Sequence, residues 1–147
     1  MGFMVIKQLS VFIENKQGRL AAVMNELAAH DIDVSALSLA DTADFGVLRL
    51  IVNQPEKGRE VLAASGVTVK ITEMAAVVMD DEPGGAARAI SLLAENGIEI
   101  EYMYACIGKV HGKALMVMRV DDLPRTERLL AEHGFGDVRP EDVYRIK

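Results

Sequence analysis

The chain carries a second copy of itself. Laying Gly18 on Gly84 brings Ala21 onto Ala87, Leu27 onto Leu93, Ala28 onto Ala94 and Ile32 onto Ile98. After a two-residue insertion the match resumes, with Val52 on Val120, Leu62 on Leu130, Ala63 on Ala131 and Gly66 on Gly134. The identities fall on the apolar and glycine positions that a shared fold needs. A chain of 147 residues built this way is expected to form two small units, residues 1–72 and 73–147.

Both copies read alike. "VIKQLSVFI" alternates and is rich in β-branched residues, which predicts a strand. From Gly18 onward, Leu20, Val23, Met24, Leu27 and Ala28 fall on one helical face. "IDVSALSLA" and "GVLRLIV" predict strands joined across "DTADF", with a bulge where the parity changes between Val34 and Leu37. "NQPEKGREVLAASG" predicts a second helix: Pro55 suits its first turn, Glu56 follows three residues after Asn53, and Gly66 ends it. "VTVKI" closes the unit as a strand. The second copy repeats the order with Glu73–Met79, Gly84–Asn96, Ile98–Ile107, Lys113–Val120, Leu123–His133 and a weaker strand near Phe135–Arg139. The final "PEDVYRIK" fits a helical turn or an edge strand.

The order β-α-β-β-α-β is that of a split βαβ, or ferredoxin-like, unit. The expected fold class is α+β: two such units, each an antiparallel sheet with helices on one face. A unit of about 70 residues buries little core alone. No Pro/Gly/Ser linker separates the two, so they are expected to pack as one rigid body.

Composition narrows the function. Half the residues are apolar and 26% are charged, as in a globular protein. The net charge of −6 argues against a nucleic-acid partner. No apolar run approaches the roughly 18 residues of a membrane span, and the N-terminal segment, interrupted by Lys7, does not read as a secretory signal. The single Cys106 lies in an apolar strand pattern; it excludes an internal disulfide and reads as a buried structural cysteine. A cytoplasmic location is expected. His30, His111 and His133 lack metal-ligand spacing and read as surface or cap residues. Met103, Met116 and Met118 read as core filler. Tyr102 and Tyr104 share a strand face where the first copy has Ala36 and Ser38, a match that fits packing between the copies or the shaping of a pocket. No nucleophile–base pairing is evident, and the "GxVQGVxFR" phosphate loop of acylphosphatases, which share this fold, is missing. No catalysis, metal or cofactor is expected.

Two loops remain, "ENKQGRL" and "DDEPGGA", each joining a strand to a helix. The free amides and positive dipole end of such a helix suit a carboxylate or phosphate; Asn and Gly there are equally good turn chemistry in any protein. "LSVFIENKQGRLAAVMNELAAHDIDVSALSLAD" resembles the ACT domain, with Asn15, Gly18, Leu20, Ile32 and Val34 at the family's marked places. "VVMDDEPGGAARAISLLAENGIEIEYMYA" does so again with Asp81, Gly84, Gly97, Ile98 and Ile100, and the pair is similar to stand-alone tandem ACT proteins. The resemblance implies a regulatory protein that binds a free amino acid between ACT units, and self-association, with a homodimer as the default. It points to Asn15, Lys16, Gln17, Gly18 and Arg19, with Asp33 opposite, and in the second copy to Asp81, Gly84 and Gly85. Ile13 stands where serine-sensing members have His, so serine is not supported. "NKQGR" would welcome a carboxylate, whereas Asp80, Asp81 and Glu82 would repel one and suit an ammonium. "LSVFIENKQGRLAAV" also resembles the start of acetolactate synthase small subunits, which implies an alternative: a regulatory subunit of an amino-acid biosynthetic enzyme.

Overall fold

The computed structural model describes residues 5–14, 16–41, 45–110, 112–136 and 138–144. In order they form β1 (Val5–Glu14), α1 (Arg19–Ala29), β2 (Val34–Asp41), β3 (Phe45–Val52), α2 (Pro55–Ala64), β4 (Thr68–Met79), α3 (Gly85–Glu95), β5 (Ile100–Val110), β6 (Lys113–Val120), α4 (Leu123–Glu132) and α5 (Pro140–Tyr144). The fold is α+β, and none of the described helices is long and apolar enough to cross a membrane.

The chain divides into two compact units, and the first holds Lys7–Thr72 with Tyr144. In it β3 lies between β1 and β2, antiparallel to both, with Leu9 opposite Leu50 and Glu14 opposite Phe45. Strand alternation puts Leu9, Val11 and Ile13 on the same face as Leu48, Leu50 and Val52. Helices α1 and α2 lay Val23, Leu27 and Leu62 onto that face to make the core. Leu20 and Met24 pack partly against it, while Ala28 points out. Helix α2 approaches closely: a Cβ on Gly58 would stand 2.9 Å from Leu9 Cδ1. On the other face, Ser10 Oγ lies 2.9 Å from Thr72 Oγ1, and buried Gln8 donates to Ser10 Oγ.

The second unit holds Glu73–Val143 with Val5 and Ile6. There β6 lies between β4 and β5, and Ala75, Val77, Met79, Met118 and Val120 meet Ala89, Leu93 and Leu130 of α3 and α4. The expected bulge is present between Val34 and Ala36, and recurs at the same place in the repeat, between Ile100 and Tyr102.

With no linker between the copies, "VTVKI" and "TEMAAVVM" run on as the single strand β4. Two local expectations are corrected. Phe135–Arg139 is not a strand. Its Phe135 carbonyl accepts from Val78 N–H (2.8 Å), but Gly136 is pressed against α4, where a Cβ would meet Ala131 N at 3.1 Å. The Val138 amide then turns back to the Gly136 carbonyl, and Asp142 captures the Arg139 N–H as α5 begins; residue 137 lies outside the described residues. Finally, Asn53 does not cap α2. Its Oδ1 accepts from Asp33 N–H and its own N–H donates to the Asp33 carbonyl, both at 3.1 Å. Asp121 clamps Glu99 in the same way (3.1 and 3.2 Å), so each second strand is fastened at its entry.

Candidate functional site

The turn from β1 into α1 is built on Gly18, whose φ of +86° only glycine adopts without strain. Nothing lies within 4 Å of where its Cβ would stand, so backbone conformation alone selects it. The Arg19 amide donates to the Lys16 carbonyl (3.2 Å), and Ala22 N–H to that of Gly18 (2.9 Å). No side chain caps α1 and its first turn holds no acidic residue, which leaves the positive end of the helix dipole bare among the described residues. Lys16 Nζ sits 2.8 Å from Glu14 Oε2. That hydrogen bond and charge, with Arg19 adding to the field, hold the Glu14 carboxyl below its ordinary value. Of the two cations expected to receive an anion, Lys16 is thus matched, while Arg19 makes no ion pair among the described residues.

Arg19 opens onto a cavity of about 430 Å³. Strand β1 supplies Phe12, Ile13 and Glu14, α1 supplies Arg19, Ala22, Val23 and Glu26, and β3 supplies Phe45. Leu62 of α2 and the turn into β4, Ser65 to Thr68, complete the lining. Val23, Leu62 and Val67 give it an apolar floor, Ser65 and Thr68 add hydroxyls on the turn into β4, and one guanidinium and two carboxylates stand at its polar edge. Such a site accommodates a small zwitterion with an apolar body.

Of the residues expected from sequence, Arg19 lines this cavity, and Lys16, Gln17 and Gly18 form the exposed turn beside it. Asp33 is held by the Asn53 clamp and is not in the lining. Asn15 lies outside the described residues. The sequence reading missed Phe12, Glu26, Phe45 and the Ser65–Thr68 turn. Phe12 had left a signal: it breaks the polar row of Gln8 and Ser10, and it stands 40% exposed.

The second loop shares the backbone and not the chemistry. Gly84 has φ +88°, but α3 opens on buried Gly85, where a Cβ would collide with the Asp80 carbonyl oxygen. Arg88 Nη2 pairs with Asp80 (3.2 Å) and Glu82 (2.9 Å), and Lys113 Nζ lies 3.5 Å from Asp80. Asp80 and Glu82 are therefore matched within their own unit, and Asp81 is exposed.

His30 Nδ1 hydrogen-bonds the Glu26 carbonyl and His133 Nδ1 that of Leu129, the helix-end role that Ser65 and Asn96 also play. His111 lies outside the described residues. Cys106 is buried, and Tyr102 donates to Met74 Sδ at 3.7 Å. No cluster able to hold a metal ion occurs among the described residues.

The sequence profile of the ACT domain pair family matches residues 4–146. A solved protein of Bacteroides thetaiotaomicron is 36% identical with a TM-score of 0.90, the match covering 97% of this chain and 98% of that one. The ligand-free regulatory subunit of aspartate kinase from Thermus thermophilus shares the fold at 14% identity and TM-score 0.59, over 90% of this chain and 98% of that one. The regulatory subunit of aspartate kinase from Thermus flavus does so at 15% and 0.58, over 90% and 96%. No curated protein matches in sequence.

Proposed function

Because the chain belongs to the ACT domain pair family, we propose that it is a cytoplasmic, non-catalytic regulatory protein that senses a free amino acid. One ferredoxin-like ACT unit would occupy residues 1–72 and the other 73–147. The β1–α1 turn receives the ligand, with Arg19 and the bare first turn of α1 taking its carboxylate. A unit of a second copy in a homodimer closes the site, so binding shifts the population toward that assembly. The observation that carries this reading is the cavity behind Arg19, which sets a guanidinium without an ion pair, among the described residues, beside carboxylates and an apolar interior.

The test is a thermal-shift screen against the twenty amino acids, with Arg19→Ala beside the parent. Ligand at about 100 times its dissociation constant adds about 2.7 kcal/mol, a rise of several degrees. One or a few responders that fail on the variant support the sensor. Silence across the panel from a folded protein rejects it and favours a second reading, a regulatory subunit docked on an amino-acid metabolic enzyme. Leu37 and Leu39 of β2, 43% and 49% exposed, supply apolar surface for such a partner, and co-purification with a catalytic chain would establish it.

A further inference from the structure

The internal repeat allows each residue of the cavity to be compared with its counterpart in the other unit. Ala22, on an exposed position of α1, corresponds to Arg88; Phe45 at the mouth corresponds to Lys113; Arg19 corresponds to Gly85. In the second unit Arg88 folds over the loop, its Nη1 lying 3.2 Å from where a Gly84 Cβ would stand, and pairs with Asp80 and Glu82. Lys113 reaches Asp80 from β6. The groove left there runs along α3 to His133 and Phe135 and includes no residue of β4 or β6. In the first unit the cavity passes between the helices to Phe12, Ile13 and Phe45 on the strands. The same backbone therefore carries one cavity that reaches the strands and one open groove, of about 540 Å³, whose loop end is covered by its own cation, Arg88.

We infer that the first unit alone binds ligand, one amino acid per chain, and that the ligand is one with an apolar side chain. The side chain enters between Val23, Leu62 and Val67, with Phe12 and Phe45 at the mouth, while Arg19 takes the carboxylate and Glu14 or Glu26 faces the ammonium. Among the described residues the lining offers one cation, Arg19, and two neutral polar side chains, Ser65 and Thr68 on the turn into β4, so a charged side chain laid against Val23, Leu62 and Val67 costs more to bury than an apolar one. The second unit's loop is occupied by Arg88 and serves as scaffold. This inference rests on the amino-acid-binding reading above, and its test separates the two.

Titration calorimetry of the full chain would use leucine, methionine and phenylalanine against serine, lysine and glutamate. Ala22→Arg and Phe45→Lys, each copying the counterpart in the second unit, would be run beside the parent. The expected result is binding of apolar amino acids at one per chain, weakened at least tenfold in both variants, with circular dichroism unchanged. If Ala22→Arg fails to fold, Phe45→Lys decides alone. Tighter binding of serine, lysine or glutamate, two ligands per chain, or variants that bind like the parent would overturn the pocket assignment and leave the sensor standing. Binding of none of the six would overturn the apolar-ligand assignment, and the screen of all twenty amino acids then decides the sensor separately.

Discussion

Gly18 and Gly85 sit one register position apart in the repeat and are glycine for different reasons. Gly18 holds a left-handed backbone in open space, so Gly18→Ala costs only the strain of that conformation, about 1–2 kcal/mol. Gly85 has an ordinary backbone and no room, since its Cβ would meet the Asp80 carbonyl. Gly85→Ala must displace backbone, and overpacking of this kind costs about 1–3 kcal/mol or more. Urea denaturation should therefore show a larger loss of midpoint for Gly85→Ala than for Gly18→Ala; equal losses would mean that the loop yields freely. The chain reads both glycines with equal emphasis and suggests Gly85 as a ligand contact, because a clash with a carbonyl five residues upstream exists only once the loop has folded. Arg19 was legible since its chemistry is local to its turn. Phe45 was not, because its place at the cavity mouth depends on four separate elements.

Strands and helices were legible almost throughout, because burying one face imposes a period on them. What escaped notice sits where periods stop. Phe135–Arg139 is too short and glycine-broken to alternate reliably, and packing of Gly136 against α4 settles it as a turn. The Asn53–Asp33 and Asp121–Glu99 clamps join residues far apart in the chain, so spacing cannot reveal them. Asn53→Ala and Asp121→Ala should each cost about 1 kcal/mol, one net hydrogen bond. Sharing no partner, they should add in the double variant within about half a kcal/mol; a larger excess would mean that the two strand entries are coupled. Helix α4 supplies a pH test. Burial, then the charge of Glu73, raises the Glu127 carboxyl above its ordinary value. A carboxyl raised by folding favours the native state when protonated, so its contribution is full below the unfolded value and lost as pH climbs through the folded one. Glu127→Gln should accordingly raise the melting temperature at pH 7 and lose that advantage at pH 4. An equal gain at both would assign the effect to packing.

Across the whole molecule the two units share bulges, strand-entry clamps and helix-end caps, yet they differ in charge at the matching loop. That contrast was visible in "NKQGR" and "DDEPGG"; which of those charges find partners at home was not, since Arg88 and Lys113 come from other elements. The net charge of −6 nonetheless acts on anything that approaches Arg19. A unit charge about 15 Å away contributes about 0.3 kcal/mol in water, so the sum is comparable with one close contact to a guanidinium. Screening decides which prevails, for the Debye length is about 30 Å at 0.01 M salt and about 8 Å at 0.15 M. At low salt the whole molecule repels a simple carboxylate, whereas at physiological salt only Arg19, Lys16 and the nearby glutamates are felt. An amino acid, neutral overall, is nearly indifferent to the distant charge. Its deaminated analogue should therefore bind more tightly as salt rises from 0.01 to 0.15 M, narrowing its disadvantage against the parent amino acid by a few-fold. Calorimetry at the two ionic strengths measures this. An analogue that binds more weakly at the higher salt would show that attraction to Arg19 and Lys16 outweighs the net charge even at long range.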